Sequence, residues 1–174
     1  MRSFLVWSHH GASAPKPSAS AVEPRAIASR VTARLQDLCA SPPRVRARDV
    51  GVASFVWVDL DVERFRAPFL EEAQGEFAFA SEYPLNARQL LRSHSLSPGP
   101  PERGEDLRAF ARLLARHPES VLREAVPPFA IVSGTDGQCV QIANDGLGQA
   151  QLFEYDDGEI YCVTNRLSLL PKTA

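Results

Sequence analysis

The 174-residue chain is poor in lysine, cysteine and methionine, and charge of neither sign is in large excess. Among its 19 basic residues only Lys16 and Lys172 are lysines, which we attribute to coding bias. The formal net charge of −2 excludes the strongly basic surface that is typical of nucleic-acid-binding domains. No apolar run approaches the ~20 residues of a membrane-spanning helix. We therefore expect neither nucleic acid nor a membrane as partner.

Cysteine usage indicates a reducing compartment. The three cysteines, Cys39, Cys139 and Cys162, form no C-x-x-C pair, and no histidine lies at ligand spacing from them. The sequence therefore predicts a cytoplasmic protein with no metal site and no cofactor. Cys139 and Cys162 lie in apolar, strand-like runs, where we expect buried thiols. His94 and His117 lie near predicted loops, where we expect solvated side chains.

Length and hydrophobicity favour one globular domain over residues 1–174. A chain of this size with 44% hydrophobic residues can bury a core without disulfides or a metal. The apolar run Phe4–Trp7 is shorter than the about 7–15 residues of a signal-peptide core. We expect this run to be a buried strand.

The spacing of apolar residues predicts an α+β fold, with helices packed on antiparallel sheets. Helices are predicted over Pro24–Cys39, Asn86–Arg92 and Glu105–Arg116, the last with Leu107, Phe110, Ala111 and Leu114 on one face. A further helix is predicted from Pro118 with Val121, Leu122 and Ala125 inward, and a closing helix over Asn165–Leu170 with Thr164 as cap. Strands are predicted at Ser3–Trp7 and Val50–Leu60, in a hairpin around Gln74-Gly75, and in two hairpins over residues 129–163. The alternating Arg44, Arg46 and Arg48 would share one face of a solvated or partner-facing strand.

The last third of the chain resembles the end of the glutamine amidotransferase domain of asparagine synthetases. That family has a strand, an "RD-x-x-G-x-x-PLY" turn and a closing helix. Asp145 and Gly148 match the turn, and Leu152-Phe153 match its apolar end. The start of the closing helix departs from the family pattern.

The resemblance extends upstream over nearly the whole chain. The stretch Phe77–Tyr83 (FAFASEY) is similar to the family's "LAVNGEIYN", and Gly104-Glu105-Asp106 lies where the family has "GSD" ahead of a helix. The resemblance implies an N-terminal-nucleophile hydrolase fold, an αββα sandwich of two antiparallel sheets between helical layers. β-Lactam synthetase is similar in carrying such a domain without the nucleophile.

The nucleophile of that family is missing. An N-terminal-nucleophile enzyme uses a Cys, Ser or Thr as its first mature residue, with the free α-amino group as base. This chain has Arg2 after Met1, and a guanidinium is no nucleophile. We therefore predict no catalytic residue. An atypical cleavage behind Arg2 would expose Ser3, which is the alternative of an active glutamine amidohydrolase.

Two further parts of the family's glutamine site are missing as well. Ala80 and Ser81 match the "NG" that forms the family's oxyanion hole, so the asparagine donor is lost. Val56 matches the arginine that binds the substrate carboxylate. Glu82 and Asp106 match the acidic residues that hold the substrate amino group. A solvated carboxylate at the surface or near a helix start is the competing interpretation of both.

The resemblance thus implies a non-catalytic domain that serves an ATP-dependent, amide- or lactam-forming synthetase. The family's "SGGxDS" pyrophosphate loop does not occur in the chain. We expect the synthetase to be a separate subunit, or a domain of a longer protein from which this piece derives. We expect residues 1–174 to form one complete amidotransferase-like domain. A stand-alone small-molecule binding module is a further alternative, and homo-oligomerisation stays open.

Overall fold

The computed structural model describes residues 2–9, 24–36, 43–59, 70–73, 75–99 and 105–170. The chain divides into a first unit, Met1–Val62 with Leu152–Ala174, and a second unit, Glu63–Gln151. Each unit contains one antiparallel sheet, so the predicted α+β class is confirmed. Several predicted features lie outside the described residues: Met1, Cys39, Gln74, Gly104 and the end of the first helix.

The first unit is built around β1 (Arg2–His9). Its other strands are β2 (Arg44–Asp49), β3 (Ser54–Asp59), β8 (Phe153–Asp156) and β9 (Ile160–Thr164), in the order β2-β3-β1-β9-β8. β1 is antiparallel to both of its neighbours, with Phe4 opposite Trp57 and Val6 opposite Val163. Among the described residues of this unit, one α-helix is present, α1 (Pro24–Gln36).

Both faces of β1 are buried. Leu5 and Trp7 belong to a cluster with Val56 and Cys162, against which Ile27 of α1 packs. The intervening residues of β1 and β3 point to the opposite face, because side chains alternate along a strand. They are buried as well (Phe4, Val6, Phe55, Trp57). Burial on both faces explains the uninterrupted apolar run at the start of the sequence.

In its described residues the second unit holds the sheet β4-β5-β6-β7 and three helices. The strands are β4 (Leu70–Ala73), β5 (Glu76–Glu82), β6 (Ala130–Thr135) and β7 (Cys139–Asn144). The helices are α2 (Ala87–Ser93), α3 (Glu105–Arg116) and α4 (Pro118–Glu124). Gly75 turns the β4–β5 hairpin in the left-handed region, with φ +79°. None of the described helices has the length and apolarity to cross a membrane.

The core of the second unit lies between α3 and the sheet. The predicted apolar face of α3 is confirmed, since Leu107, Phe110, Ala111 and Leu114 are all buried. It packs against small side chains of β5 and the larger Ile131 of β6. Small residues in the strand let a helix that carries phenylalanine approach the sheet closely.

An irregularity in β5 positions the end of that strand. Ala80 is opposite Ile131, but Glu82 is opposite Ala130, so one extra residue lies between these two pairs. Such a bulge interrupts the alternation of side chains and re-aims the residue that follows. It brings Glu82 to the start of β6.

The strand predicted from Val50 begins only at Ser54. A turn precedes it, in which the Asp49 carboxylate accepts a hydrogen bond from the Gly51 N–H (2.8 Å) and the Val50 N–H donates to the Ala53 carbonyl (2.9 Å). Gly51 has φ +85° there. The turn joins β3 to β2, the edge strand that carries the alternating arginines.

The predicted closing helix, Asn165–Leu170, is present only as a short 3₁₀ helix, Leu167–Leu169. The Thr164 hydroxyl bonds to the Phe4 carbonyl of β1 and accepts a hydrogen bond from the Arg166 N–H (3.1 Å). It therefore ties β9 to β1 and does not cap a helix.

Two burial predictions were also wrong. Cys139 is exposed because it is the first residue of an edge strand, whereas Cys162 is buried as expected. Leu122 is 40% exposed because it lies on the outer side of α4, whose Val121 takes the inward position.

Candidate functional site

Asp145 organises the turn that follows β7. One carboxylate oxygen accepts hydrogen bonds from the N–H groups of Leu147 (3.1 Å) and Gln149 (2.9 Å). The other accepts from Ala150 (2.8 Å) and Phe129 (3.4 Å). The side chain thus gathers four backbone donors and fixes the turn to the start of β6.

Gly148 completes this turn. Its N–H donates to the Asp145 carbonyl (3.3 Å), and its φ of +68° is a conformation in which other residues are strained. Loss of solvation acts to raise the pKa of Asp145, but the backbone hydrogen bonds outweigh it and hold the pKa below its ordinary value. Asp145 is therefore a charged structural acceptor.

Glu82 lies within the electrostatic field of Asp145. Its pKa is raised, first by loss of solvation and then by the negative charge of Asp145. The side chain is nevertheless exposed at the end of β5. Glu82 is therefore influenced by the charge of Asp145, while the Glu82 carboxylate itself is open to solvent.

Asp106 has a different environment. It lies in the first turn of α3, as predicted, but it is only 7% exposed, so the expectation of a solvated carboxylate is wrong. Its Oδ2 is 3.4 Å from Nε of Arg88, a residue of α2. Within the described ranges its other oxygen, Oδ1, is buried without a hydrogen-bond partner. Sequence reasoning missed Arg88, since no motif links positions 88 and 106.

Tyr83 links the strand end that carries Glu82 to the backbone of Asp106. Its hydroxyl donates to the Asp106 carbonyl (3.2 Å), and its ring packs edge-on against Phe110 of α3. Tyr83 follows Glu82 directly, so this contact fixes the end of β5 to the start of α3. The Asp106 carboxylate is paired with Arg88, whereas the Glu82 carboxylate is open to solvent.

The remaining positions matched to the family are structural in this chain. Ala80 and Val56 are fully buried in the cores of their units. Ser3 is 5% exposed within β1, opposite Val58. Arg2 precedes it with Nε 3.5 Å from the Asp59 carboxylate.

A pocket of about 100 Å³ opens between α3 and the sheet of the second unit. Its polar lining includes Arg108, Arg112, Ser133 and Gln141, and Arg112 Nε donates to the Glu76 carboxylate (2.9 Å). The residues that line it include none of the predicted site residues. The pocket is therefore separate from the end of β5 that carries Glu82.

The two histidines predicted to be solvated contact each other. The rings of His94, after α2, and His117, before α4, are stacked with centroids 5.5 Å apart. In the part of the chain that the structure describes, no three His, Cys, Asp or Glu side chains are grouped so as to hold a metal ion.

Comparison with known protein families and with curated proteins finds no match for this chain. Its function must therefore be inferred from its residues and their geometry.

Proposed function

We propose that this chain is a non-catalytic glutamine-amidotransferase-like domain. It serves as a structural and interaction module for an ATP-dependent, amide- or lactam-forming enzyme. The proposal includes the finer fold, the αββα sandwich. In support, α1 packs on one face of the first sheet and α3 on one face of the second, and apolar residues on the other faces, such as Phe4 and Phe79, are buried too.

The pairing of Asp106 with Arg88 carries the proposal. A carboxylate that holds a substrate ammonium must offer its charge to the ligand. The charge of Asp106 is instead matched by the chain's own guanidinium at 3.4 Å. A substrate ammonium would have to displace this guanidinium from the buried carboxylate, which costs the existing ion pair and leaves Arg88 without its partner.

The environment of β1 speaks against the Ser3 alternative. Arg2 is part of the strand: its side chain pairs with Asp59, and its carbonyl accepts a hydrogen bond from Nδ2 of Asn165 (3.0 Å). Cleavage behind Arg2 would remove both contacts. Ser3 itself is buried, where a nucleophile needs access to substrate.

An exposed apolar cluster supports the interaction role. Leu85 is 75% exposed, and Leu122 and Val126 are 40% and 43% exposed. The Leu85 N–H donates to the Val126 carbonyl (3.1 Å), and the Asn86 side chain accepts from the Val126 N–H (2.8 Å). The backbone thus holds Leu85 beside Val126, with Leu122 four residues earlier in the chain, and clustered exposed apolar residues are typical of interaction sites.

The first experiment tests the lack of catalysis. We expect the purified chain to retain Arg2 by intact mass and to release no more ammonia from glutamine than Ser3→Ala does. A mature chain that begins at Ser3, with glutaminase activity lost in Ser3→Ala, would contradict the proposal. Thermal unfolding with millimolar amino acids tests the binding-module alternative, for which a ligand-dependent rise in melting temperature is the signature.

The second experiment tests the partner. The chain is co-expressed with a protein encoded beside it that carries a pyrophosphate-binding loop. We expect the two to co-purify and Leu85→Ser to reduce recovery of the complex. Leu147→Ser is the matched control, because Leu147 is equally exposed (74%) outside the cluster. Equal recovery of both variants would rule out the Leu85 surface as the contact.

A further inference from the structure

The edge strands of the two sheets differ in charge. β2 carries Arg44, Arg46 and Arg48, β4 carries Glu71 and Glu72, and β8 carries Glu154 and Asp156. β7 (Cys139–Asn144) has no charged residue and no proline. Charges and prolines are the usual means by which edge strands avoid pairing with another chain.

The outer side of β7 is accessible. Among the described strands only β6 pairs with it. Cys139 and Gln141 are exposed, and Val140 and Ile142 are half-buried. A regular six-residue register with β6, with no bulge, leaves the strand straight enough to accept a further strand.

We infer that β7 is a self-association site, at which a second copy of this chain adds its own β7 antiparallel in one continuous sheet. Main-chain hydrogen bonds would supply affinity, as in other cases of strand addition. The inference does not depend on the proposed function, since it concerns only the edge of the second sheet.

The charge pattern selects a second copy as the occupant. In a symmetric antiparallel pair, opposite residues point to the same face of the sheet, so like charges that share one face of the strand are brought near one another. Self-pairing of β2 would bring Arg44, Arg46 and Arg48 together, and self-pairing of β8 would bring Glu154 and Asp156 together. β7 is the described edge strand whose self-pairing brings no like charges together.

Symmetry restricts the register of this pair. Two identical antiparallel neighbours are related by a two-fold axis perpendicular to the sheet, so paired residues point to the same face. A register centred on Gln141 pairs Cys139 with Ala143 and Val140 with Ile142 of the second copy. The two Gln141 amides then lie opposite each other, where each can donate to the other.

Sedimentation over a wide concentration range tests this inference. We expect the protein to form dimers and Gln141→Lys to raise the dimer dissociation constant by roughly tenfold or more, because two ammonium groups then face each other. Gln138→Lys makes the same charge change in the exposed turn before β7, and we expect it to dimerise as the parent does. A protein that is monomeric throughout, or equal dimerisation of both variants, overturns the inference.

A crosslink tests the register without depending on the lysine variants. In a Cys139→Ser background, Gln141→Cys places one thiol of each copy at the two-fold axis. Opposite Cβ atoms in a strand pair are about 4.5–5.5 Å apart, close to disulfide geometry. We expect mild oxidation to give a disulfide-linked dimer, and Gln138→Cys in the same background to give none. A dimerising protein that does not crosslink at position 141 overturns the proposed register.

Discussion

The Asp106 carboxylate at the start of α3 and the Arg88 guanidinium on α2 form an ion pair, with Oδ2 and Nε 3.4 Å apart. Arg88 also donates from a terminal nitrogen to the Gly99 carbonyl (3.0 Å). One residue therefore neutralises a buried acid and holds the segment that follows α2. This arrangement makes Asp106 part of the internal structure of the second unit.

The ion pair predicts a measurable coupling. Arg88→Met leaves a buried carboxylate uncompensated, and we expect a loss of about 1–2 kcal/mol in the free energy of unfolding, because solvent reaches Arg88 and softens the penalty. Adding Asp106→Asn should recover part of the loss in a double-mutant cycle followed by urea unfolding. Arg92→Met, on an exposed position of α2, is the control. Strict additivity of the two substitutions would show that the pair contributes nothing.

Asp145 predicts a pH-dependent stability. Its pKa is lower in the folded state than in the unfolded chain, so its contribution is present above the unfolded pKa of about 3.9 and is lost as pH falls through the folded pKa. Asp145→Asn removes the charge and turns an amide toward backbone donors, and we expect a cost of about 2 kcal/mol or more at neutral pH. The difference from the parent should shrink in acid.

Urea midpoints at neutral and acid pH provide the measurement for Asp145→Asn. Glu159→Gln removes a charge from an exposed turn and should leave the midpoint nearly unchanged at both pH values. A constant gap between Asp145→Asn and the parent across pH would contradict the assigned role of the charge.

The close contacts around Gly134 predict that the β6–β7 hairpin does not tolerate a side chain at this position. A Cβ there would lie 2.2 Å from the Cys139 carbonyl oxygen and 2.9 Å from the Phe77 ring. Gly134→Ala must displace backbone, and we expect it to cost about 2 kcal/mol or more. At Gly146 a Cβ meets nothing within 4 Å, so Gly146→Ala should be within about 0.5 kcal/mol of the parent. Thermal unfolding of both variants compares them, and equal melting temperatures would contradict the clash.

We expect the two described cysteines to differ in their reactivity toward thiol reagents. Burial, with a smaller effect of the Asp157 charge, raises the pKa of Cys162 to about 11, whereas Cys139 is exposed. In a Cys39→Ser background we expect one thiol per folded chain to react with a thiol reagent and the second only on unfolding. Cys139→Ser should abolish the fast reaction. Rapid reaction of two thiols in the native protein would contradict this placement.

Cys162 also predicts a loss of stability in base. Its folded pKa is raised, so its contribution is complete below the unfolded pKa and is lost as pH rises toward 11. Urea unfolding at increasing pH should show a decline that Cys162→Ala lacks.

Local patterns in the sequence predicted most elements of the fold. The helical spacing of Leu107, Phe110 and Leu114 specified both the extent and the buried face of α3. Glycine-bearing turns specified the hairpins, since left-handed positions such as Gly75 favour this residue. Predictions failed where distant contacts matter: the Thr164 hydroxyl, expected to cap the closing helix, donates to the Phe4 carbonyl 160 residues away, and that helix is only a short 3₁₀ segment.

The features of the candidate site likewise divide into those that the sequence predicted and those that it did not. Its residue types followed from the sequence: Glu82, Asp106 and Asp145 are carboxylates, and Arg2 precedes any hydroxyl nucleophile. The partners of these side chains did not follow from the sequence, because an ion pair such as Asp106–Arg88 joins two helices that only folding brings together.

The sequence by itself thus determined the α+β class and the hairpins, since these depend on neighbouring residues. Only the tertiary structure decided that Asp106 is paired with Arg88, that Asp145 accepts backbone hydrogen bonds in a turn and that Cys139 begins the uncharged edge strand β7. Those properties depend on which side chains and backbone groups meet across the fold, and on how much solvent each retains.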